Sequence, residues 1–314
     1  LTPQQRAVLD QVTVCRAPMR LEDLAYALTE DPPQADPHQT PAADLTDLDA
    51  DIDRLTDLTL LTTDPGIAMH PWTADLLEHR APDLTDQHQR ALAMRMRRIT
   101  DGVADYLDLL DIPRHHAALG QYDDLAAVAE QVTQVLPGTL AVAAYLAEIR
   151  PLIPPTERAW ALVADLELTT FLAIGDLSSA VRLADAFHHN IETRAAADPT
   201  NTAWQRDLSI SHNKLGDLAV AAGDLATAQN RFQTGLTIAE RLAAMDPANA
   251  QWRSDLAYVQ QRMADLVNSS GKGAVAQRSP GGTPDASPAT SSSGLGSRIT
   301  GVVASLFRPT RRRP

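Results

Sequence analysis

Apolar residues follow a helical pattern, rather than an alternating one, along most of this chain. Leu45, Leu48, Ile52 and Leu55, for example, recur every three or four residues and would share one face of a helix. The pattern is most regular in the second half of the sequence. There it predicts five helices, at about 157–174, 177–197, 201–222, 225–245 and 249–267. We therefore expect a mainly α-helical protein.

The second half also repeats itself with a period of 48 residues. Residues 198–201 read Asp-Pro-Thr-Asn, and residues 246–249 read Asp-Pro-Ala-Asn. Further identities at the same offset are the pairs Gly175/Gly223, Asp176/Asp224, Leu177/Leu225, Ala180/Ala228, Trp204/Trp252, Asp207/Asp255, Leu208/Leu256 and Asp217/Asp265. Turn residues and core residues agree at one offset, which is typical of a stacked helical array.

The turns of this repeat have a consistent chemistry. Gly175 and Gly223 are predicted to end a helix, because glycine adopts the left-handed conformation there without side-chain strain. Asp176 and Asp224 are predicted to cap the helix that follows. A small residue then lies one turn into each second helix, where it lets paired helices approach closely. These two positions are Ala180 and Ala228.

Within residues 209–242, the spacing of glycine, alanine and aromatic residues resembles the tetratricopeptide repeat. The matching residues are Leu215, Gly216, Gly223, Ala228, Phe232 and Gly235. His212 stands where the motif has tryptophan, and the second helix is longer than usual. The resemblance covers about 157–267 and implies an α-solenoid of helical hairpins that binds a protein or peptide.

Trp204 and Trp252 recur in this array and allow two interpretations. Each could pack between successive hairpins as part of the core. Alternatively, each could be an exposed aromatic residue on the concave face that anchors a peptide. We keep both as partner-binding candidates.

The first 80 residues show a different order of elements. Three short helical patterns are followed by a β-type run at 58–63, a turn at 64–66 (Asp-Pro-Gly) and a second short run at 67–70. Three helices followed by a β-hairpin predict a winged-helix domain.

This segment resembles the winged helix that follows the nucleotide-binding domain in signal-transduction ATPases of the apoptosome and plant immune-receptor class. In that family the second hairpin strand ends in Met-His-Asp, and its histidine contacts the β-phosphate of the nucleotide. The matching run here is Met69-His70-Pro71, with proline in place of the acid. The resemblance implies that His70 senses nucleotide; alternatively, His70 closes the hairpin and caps the next helix.

The chain opens at Leu1, without Met and in a helix-start pattern, so we expect it to be a fragment of a longer protein. The resemblance implies that this fragment is the C-terminal part of such an ATPase. No Gly-x-x-x-x-Gly-Lys-Ser/Thr loop occurs, so we expect no ATPase activity from this segment itself. ATP or ADP would belong to a nucleotide-binding domain of the longer parent protein. We expect no cofactor in the segment.

Composition narrows the classes of partner. The net charge is −13, whereas a nucleic-acid-binding domain should present a basic face. The candidate recognition helix at 43–57 has six aspartates and one arginine, so DNA phosphates would repel it. We expect no nucleic acid partner. The absence of a long apolar run, together with the single cysteine, indicates a cytoplasmic protein.

Catalytic and metal-binding constellations are weak in the sequence. Cys15 is the only cysteine, so neither a disulfide within the chain nor a cysteine-based zinc site is expected. His115 and His116 are adjacent and would point to different sides of a helix, so they do not predict a metal site. The basic run at 95–98 (Arg-Met-Arg-Arg) is expected to be a solvent-exposed face. We predict that the segment is not an enzyme.

The end of the chain changes in composition. Residues 268–294 are rich in Ser, Gly, Pro, Thr and Ala and predict a disordered linker. Residues 295–314 contain an apolar stripe and five arginines and no acid. This basic tail could contact an anionic membrane surface weakly, dock on the array or a partner, or remain disordered.

The predicted order is therefore a winged-helix-like domain at 1–80, divergent helical hairpins at 81–156, the repeat array at 157–267, the linker and the tail. The expected function is protein–protein interaction and regulation within a signalling NTPase. The alternatives are a free-standing scaffold or a winged-helix transcription regulator.

Overall fold

The computed structural model describes residues 1–29, 45–81 and 83–276, and within these ranges the protein is mainly helical. The predicted loop at 31–42, the linker beyond 276 and the tail at 295–314 lie outside the described residues. No helix in the described ranges has both the length and the apolar composition that crossing a bilayer requires.

Thirteen α-helices and one 3₁₀ turn follow one another in the described part of the chain. They are α1 (Pro3–Val14), α2 (Leu21–Ala27), α3 (Leu45–Asp57), α4 (Pro71–Glu78), α5 (Thr85–Thr100), α6 (Tyr106–Ala118), α7 (Tyr122–Val135), α8 (Thr139–Ile149), the 3₁₀ turn (Arg150–Leu152), α9 (Arg158–Ile174), α10 (Leu177–Ala197), α11 (Thr202–Ala221), α12 (Leu225–Met245) and α13 (Ala250–Ala276).

These helices form two compact units. The first comprises Leu1–Pro137 and Ala147–Ala159, and the second comprises Gly138–Leu146 and the residues from Trp160 to the end of α13. The finer domain boundaries expected from the sequence stay predictions.

The core of the first unit lies among α1, α2 and α3. The start of α1 follows from its capping box, in which Thr2 accepts from the backbone N–H of Gln5 and the Gln5 side chain accepts from that of Thr2. Apolar residues at helical spacing then supply the buried side chains. They include Val8, Val12, Leu24, Ala25, Leu48, Ile52 and Leu55.

The β-type run predicted at 58–63 is wrong, since the described residues there contain only isolated bridges. Thr62 pairs with Ala68, and Met19 pairs with Ile67, both antiparallel. The reason is that the end of α3 uses the first part of the run: Thr59 takes a positive φ of 58°, and the Leu60 N–H donates to the Leu55 carbonyl. Too few residues remain for a strand.

The second unit confirms the turn chemistry read from the repeat. Gly175 and Gly223 both have positive φ, 76° and 80°, at the ends of α9 and α11. Asp176 accepts a hydrogen bond from the Ser179 N–H, and Asp224 accepts one from the Thr227 N–H. The predicted helix bounds agree within a residue or two until the last helix. There, α13 continues to Ala276, beyond the predicted end at 267, because no proline interrupts its backbone ladder before that point.

Close packing between α11 and α12 explains two further glycines of the repeat-like spacing. A Cβ added to Gly216 would lie 2.6–2.9 Å from the Phe232 ring, and one added to Gly235 would lie 2.5 Å from Asn213 Oδ1. Ala180 and Ala228, like Phe232, are fully buried. Small residues thus set the distance between the paired helices.

Candidate functional site

The first helix of each repeat presents one partly exposed stripe. The side chains lie at positions i, i+4 and i+7 of α9, α11 and α13, which places them on one side of each helix. We call this stripe the first-helix face. It consists of Leu162, Leu166 and Thr169 on α9, Ile210, Lys214 and Asp217 on α11, and Tyr258, Arg262 and Asp265 on α13.

Large side chains occupy the leading position of the face in all three helices. Leu162, Ile210 and Tyr258 are separated by 48 residues each. Leu162 is 41% exposed and Tyr258 is 47% exposed, and Ile210 is half-buried. A row of accessible apolar and aromatic groups therefore crosses the three helices.

Polar contacts join neighbouring first helices along the same face. Lys214 Nζ lies 2.6 Å from Thr169 Oγ1 and 3.0 Å from Asp165 Oδ1 on α9. One repeat later, Arg262 Nε donates to Asp217 Oδ1 at 2.7 Å. Because 214 and 262, like 169 and 217, are equivalent in the repeat, the second contact is the counterpart of the first.

Tyr258 completes the second contact. Its hydroxyl donates to Asp217 Oδ2 at 2.9 Å. Burial, with the nearby Asp217 carboxylate, raises the pKa of Tyr258 to about 12, so the phenol stays protonated and remains a donor. The ring is held in place while much of its surface stays accessible.

A bidentate ion pair also connects α11 with α13. Arg206 Nε and Nη2 donate to the two carboxylate oxygens of Asp255, at 2.6 and 3.2 Å. Bidentate arginine–carboxylate pairs fix orientation as well as distance. Together with the contacts of Asp217, this pair holds the row of large side chains in register.

The two tryptophans lie away from the first-helix face. Trp204 is half-buried near the start of α11, with the Arg194 guanidinium of α10 4.7 Å from its ring centroid. At 100° per residue, position 204 is turned well away from positions 210 and 217. Trp252 is its half-buried equivalent on α13. The contact with α10 fits packing between successive hairpins.

His70 is exposed and lies at the N-cap of α4. Its Nδ1 accepts a hydrogen bond from the Trp72 N–H at 3.3 Å, and Pro71 occupies the first helical position. Helix capping was one of the two roles that the sequence analysis considered for His70. A nucleotide contact of His70 stays a prediction.

The basic run at 95–98 is not the solvent-exposed face that was expected. Arg95 is fully buried and Arg98 is 6% exposed. Arg95 donates to Asp108 at 2.9 Å and to Asp111 at 3.1 Å, and Arg98 contacts Asp108 at 2.9 Å and Asp23 at 2.5 Å. We call these five residues the buried ion cluster. Sequence spacing within α5 gave no sign that α6 and α2 would supply carboxylates.

A second polar group adjoins the cluster. Cys15, Asp111 and His115 are buried, and their ligand-type atoms all lie within 4.8 Å of one another. His115 Nδ1 lies 3.0 Å from His88 Nδ1. His116, by contrast, points elsewhere, with its Nδ1 2.9 Å from Gln121 Oε1. The adjacent histidines thus face different ways, as helix geometry predicts, but one of them meets other potential ligands.

Comparison with known proteins adds no relative: no family model, no curated protein and no solved structure matches the chain. The evidence for function is therefore the geometry itself. The sequence contained a signal for the first-helix face, the register of Leu162, Ile210 and Tyr258. A comparison of identical residues at the 48-residue offset misses this register, because the three residues are of different types.

Proposed function

We propose that the chain is a protein-interaction and regulatory module, and that its tetratricopeptide-like array binds a protein or peptide along the first-helix face. The observation that carries this proposal is the row of Leu162, Ile210 and Tyr258. Isolated apolar residues are common on surfaces, but a row in register across three stacked helices is suited to an extended ligand.

The charges of the face favour a peptide over a nucleic acid. Lys214 and Arg262 are balanced by Asp217 and Asp265 on the same stripe. A balanced face with anchored donors and acceptors suits the amide groups and mixed side chains of a peptide, whereas a phosphate backbone would need excess positive charge. The large side chains would supply the apolar contact area, and the polar groups would set the register.

The proposal is tested by selecting binders from a random-peptide display library against the purified chain. Peptides bound at the first-helix face should be lost when Leu162 or Tyr258 is replaced by alanine. Val181 on α10 offers a matched control, because it is also a large exposed side chain, 48% exposed, outside this face. The proposal would be contradicted if Val181→Ala reduced peptide enrichment as much as Leu162→Ala does.

We further propose that this module belongs to a cytoplasmic signalling NTPase, with residues 1–80 as a winged helix next to a nucleotide-binding domain. Support comes from the order of three helices and bridged segments, and from His70, which is exposed at the start of α4. The test is ADP retention by the longer parent protein, whose nucleotide-binding domain would hold ATP or ADP. His70→Ala should accelerate ADP release, while the nearby exposed His79→Ala should not.

A further inference from the structure

The group formed by Cys15, Asp111 and His115 combines donors from two helical segments. Cys15 is the C-cap of α1, and Asp111 and His115 are one turn apart on α6, so both project from the same side of that helix. All three are at least 97% buried. Thiolate, imidazole and carboxylate are the three protein ligands that zinc-class metals bind.

His115 holds an unused nitrogen inside this group. Its Nε2 is fully buried without a hydrogen-bond partner and lies 3.5 Å from Asp111 Oδ2, too far for a good hydrogen bond. Its Nδ1 lies 3.0 Å from His88 Nδ1. If Nδ1 carries the hydrogen and donates to His88, the lone pair of Nε2 points toward the carboxylate. Metal-bound histidines use this arrangement, in which a second residue fixes the tautomer.

The buried ion cluster beside these three residues contains more carboxylates than guanidinium groups. The buried ion cluster contains three aspartates and two arginines, which leaves one net negative charge in the interior. A divalent metal ion bound with the Cys15 thiolate would add one positive charge and make the sum zero. Burial raises the pKa of the Cys15 thiol to about 12, so the metal ion would have to displace the thiol proton to the solvent.

We propose that Cys15 Sγ, the Asp111 carboxylate and His115 Nε2 bind a divalent transition metal ion of the zinc class. The Asp111 carboxylate accepts from Arg95 through Oδ2 and from the Arg16 N–H through Oδ1, and each oxygen has a second lone pair that a metal ion could use. Asp111 borders a cavity of about 170 Å³ whose wall includes the exposed Arg114. Three protein ligands leave one coordination position of a tetrahedral ion for water.

Cobalt titration of the tag-free 314-residue chain tests the site. Since Cys15 is the only cysteine, a near-ultraviolet cobalt–thiolate band can arise from no other side chain. We expect the band to saturate at one Co²⁺ per chain and to disappear on addition of Zn²⁺. His115→Gln should weaken Co²⁺ binding at least tenfold, whereas His116→Gln, the adjacent histidine, should leave it unchanged. Absence of the band, or equal binding by His115→Gln, would overturn the proposal.

Thermal unfolding with Zn²⁺ gives a second readout that does not depend on His115→Gln folding. Wild type and His116→Gln should gain stability with Zn²⁺, because the ion binds the native state in preference to the unfolded chain. Cys15→Ala is a small change at a buried position and should fold, yet it should lose the Zn²⁺-dependent gain. An unchanged gain in Cys15→Ala would mean that zinc binds elsewhere and would refute the site.

Discussion

The guanidinium of Arg262 on α13 donates to the carboxylate of Asp217 on α11, with 2.7 Å between Nε and Oδ1. The contact joins two successive repeats and lies on the first-helix face, the proposed binding surface. It makes Asp217 the anchor of two partners, because the Tyr258 hydroxyl donates to the same carboxylate.

Asp217→Ala should therefore destabilise the second unit. Asp217 is only 12% exposed, and its loss leaves Arg262 and Tyr258 without their acceptor. We expect the free energy of unfolding to fall by about 1.5–3 kcal/mol, the range for hydrogen bonds to charged groups. Urea unfolding followed by circular dichroism measures it. Asp265→Ala is the control, since Asp265 is 3.9 Å from Arg262 and 49% exposed, and it should change stability by less than about 0.5 kcal/mol.

Gly216→Ala should strain the packing of α11 on α12. The added methyl group would lie within 2.9 Å of the Phe232 ring, which costs about 1–3 kcal/mol when the core cannot yield. In a Phe232→Leu background the cost should shrink, because the shorter side chain leaves room. Gly223→Ala is the comparison: its cost comes from a positive φ of 80° and should be the same in both backgrounds. Equal costs of Gly216→Ala in both would contradict the close contact.

Arg95→Met should be the most damaging single change in the first unit. Removing Arg95 leaves the buried Asp111 without its guanidinium partner and leaves Asp108 with Arg98 alone, and breaking a buried ion pair typically costs about 3–5 kcal/mol. Arg97→Met, on the same helix, should cost about 1 kcal/mol or less, because Arg97 is partly exposed and contacts Asp101 at 3.4 Å. Thermal unfolding compares the two variants. Similar losses would show that the burial of Arg95 is not what stabilises this unit.

The pH dependence of stability should depend on His212. Burial, with the adjacent His188, lowers the pKa of His212 from its ordinary value of 6.5 to about 4. Between these values the unfolded chain binds more protons than the folded chain, so stability should fall as the pH falls from about 6.5 to about 4. His212→Gln should flatten this part of the profile of unfolding free energy. His189→Gln, which alters an exposed neighbour of His188, should leave the slope as in wild type.

The turns and caps of the array could be predicted from the sequence because interactions between residues close in the chain determine them. Positive-φ glycines, aspartate caps and helical apolar spacing depend on a few neighbouring residues, so Gly175, Asp176 and their equivalents appear where predicted. The prediction of a β-type run at 58–63 was wrong because the first residues of the run end α3. The β propensity of those residues gives no information about this helix end.

The buried sites could not be predicted in the same way. The sequence around Arg95 predicts a surface residue, because the carboxylates that bury it come from another helix, α6. Cys15 lies 96 residues before Asp111 in the sequence. Such groups depend on how helices pack rather than on spacing within one helix. The first-helix face lies between these cases, since its register is visible in the sequence and its exposure is not.

The most direct test of the proposed function is the affinity of a selected library peptide for matched variants of the full chain. Fluorescence anisotropy should show that Leu162→Ala and Tyr258→Ala each weaken binding at least tenfold, about 1.4 kcal/mol, as expected for central anchors of an interface. Val181→Ala should bind as wild type does. Equal affinity in all three variants, or the absence of any enriched peptide, would contradict the assignment of the first-helix face as the binding surface.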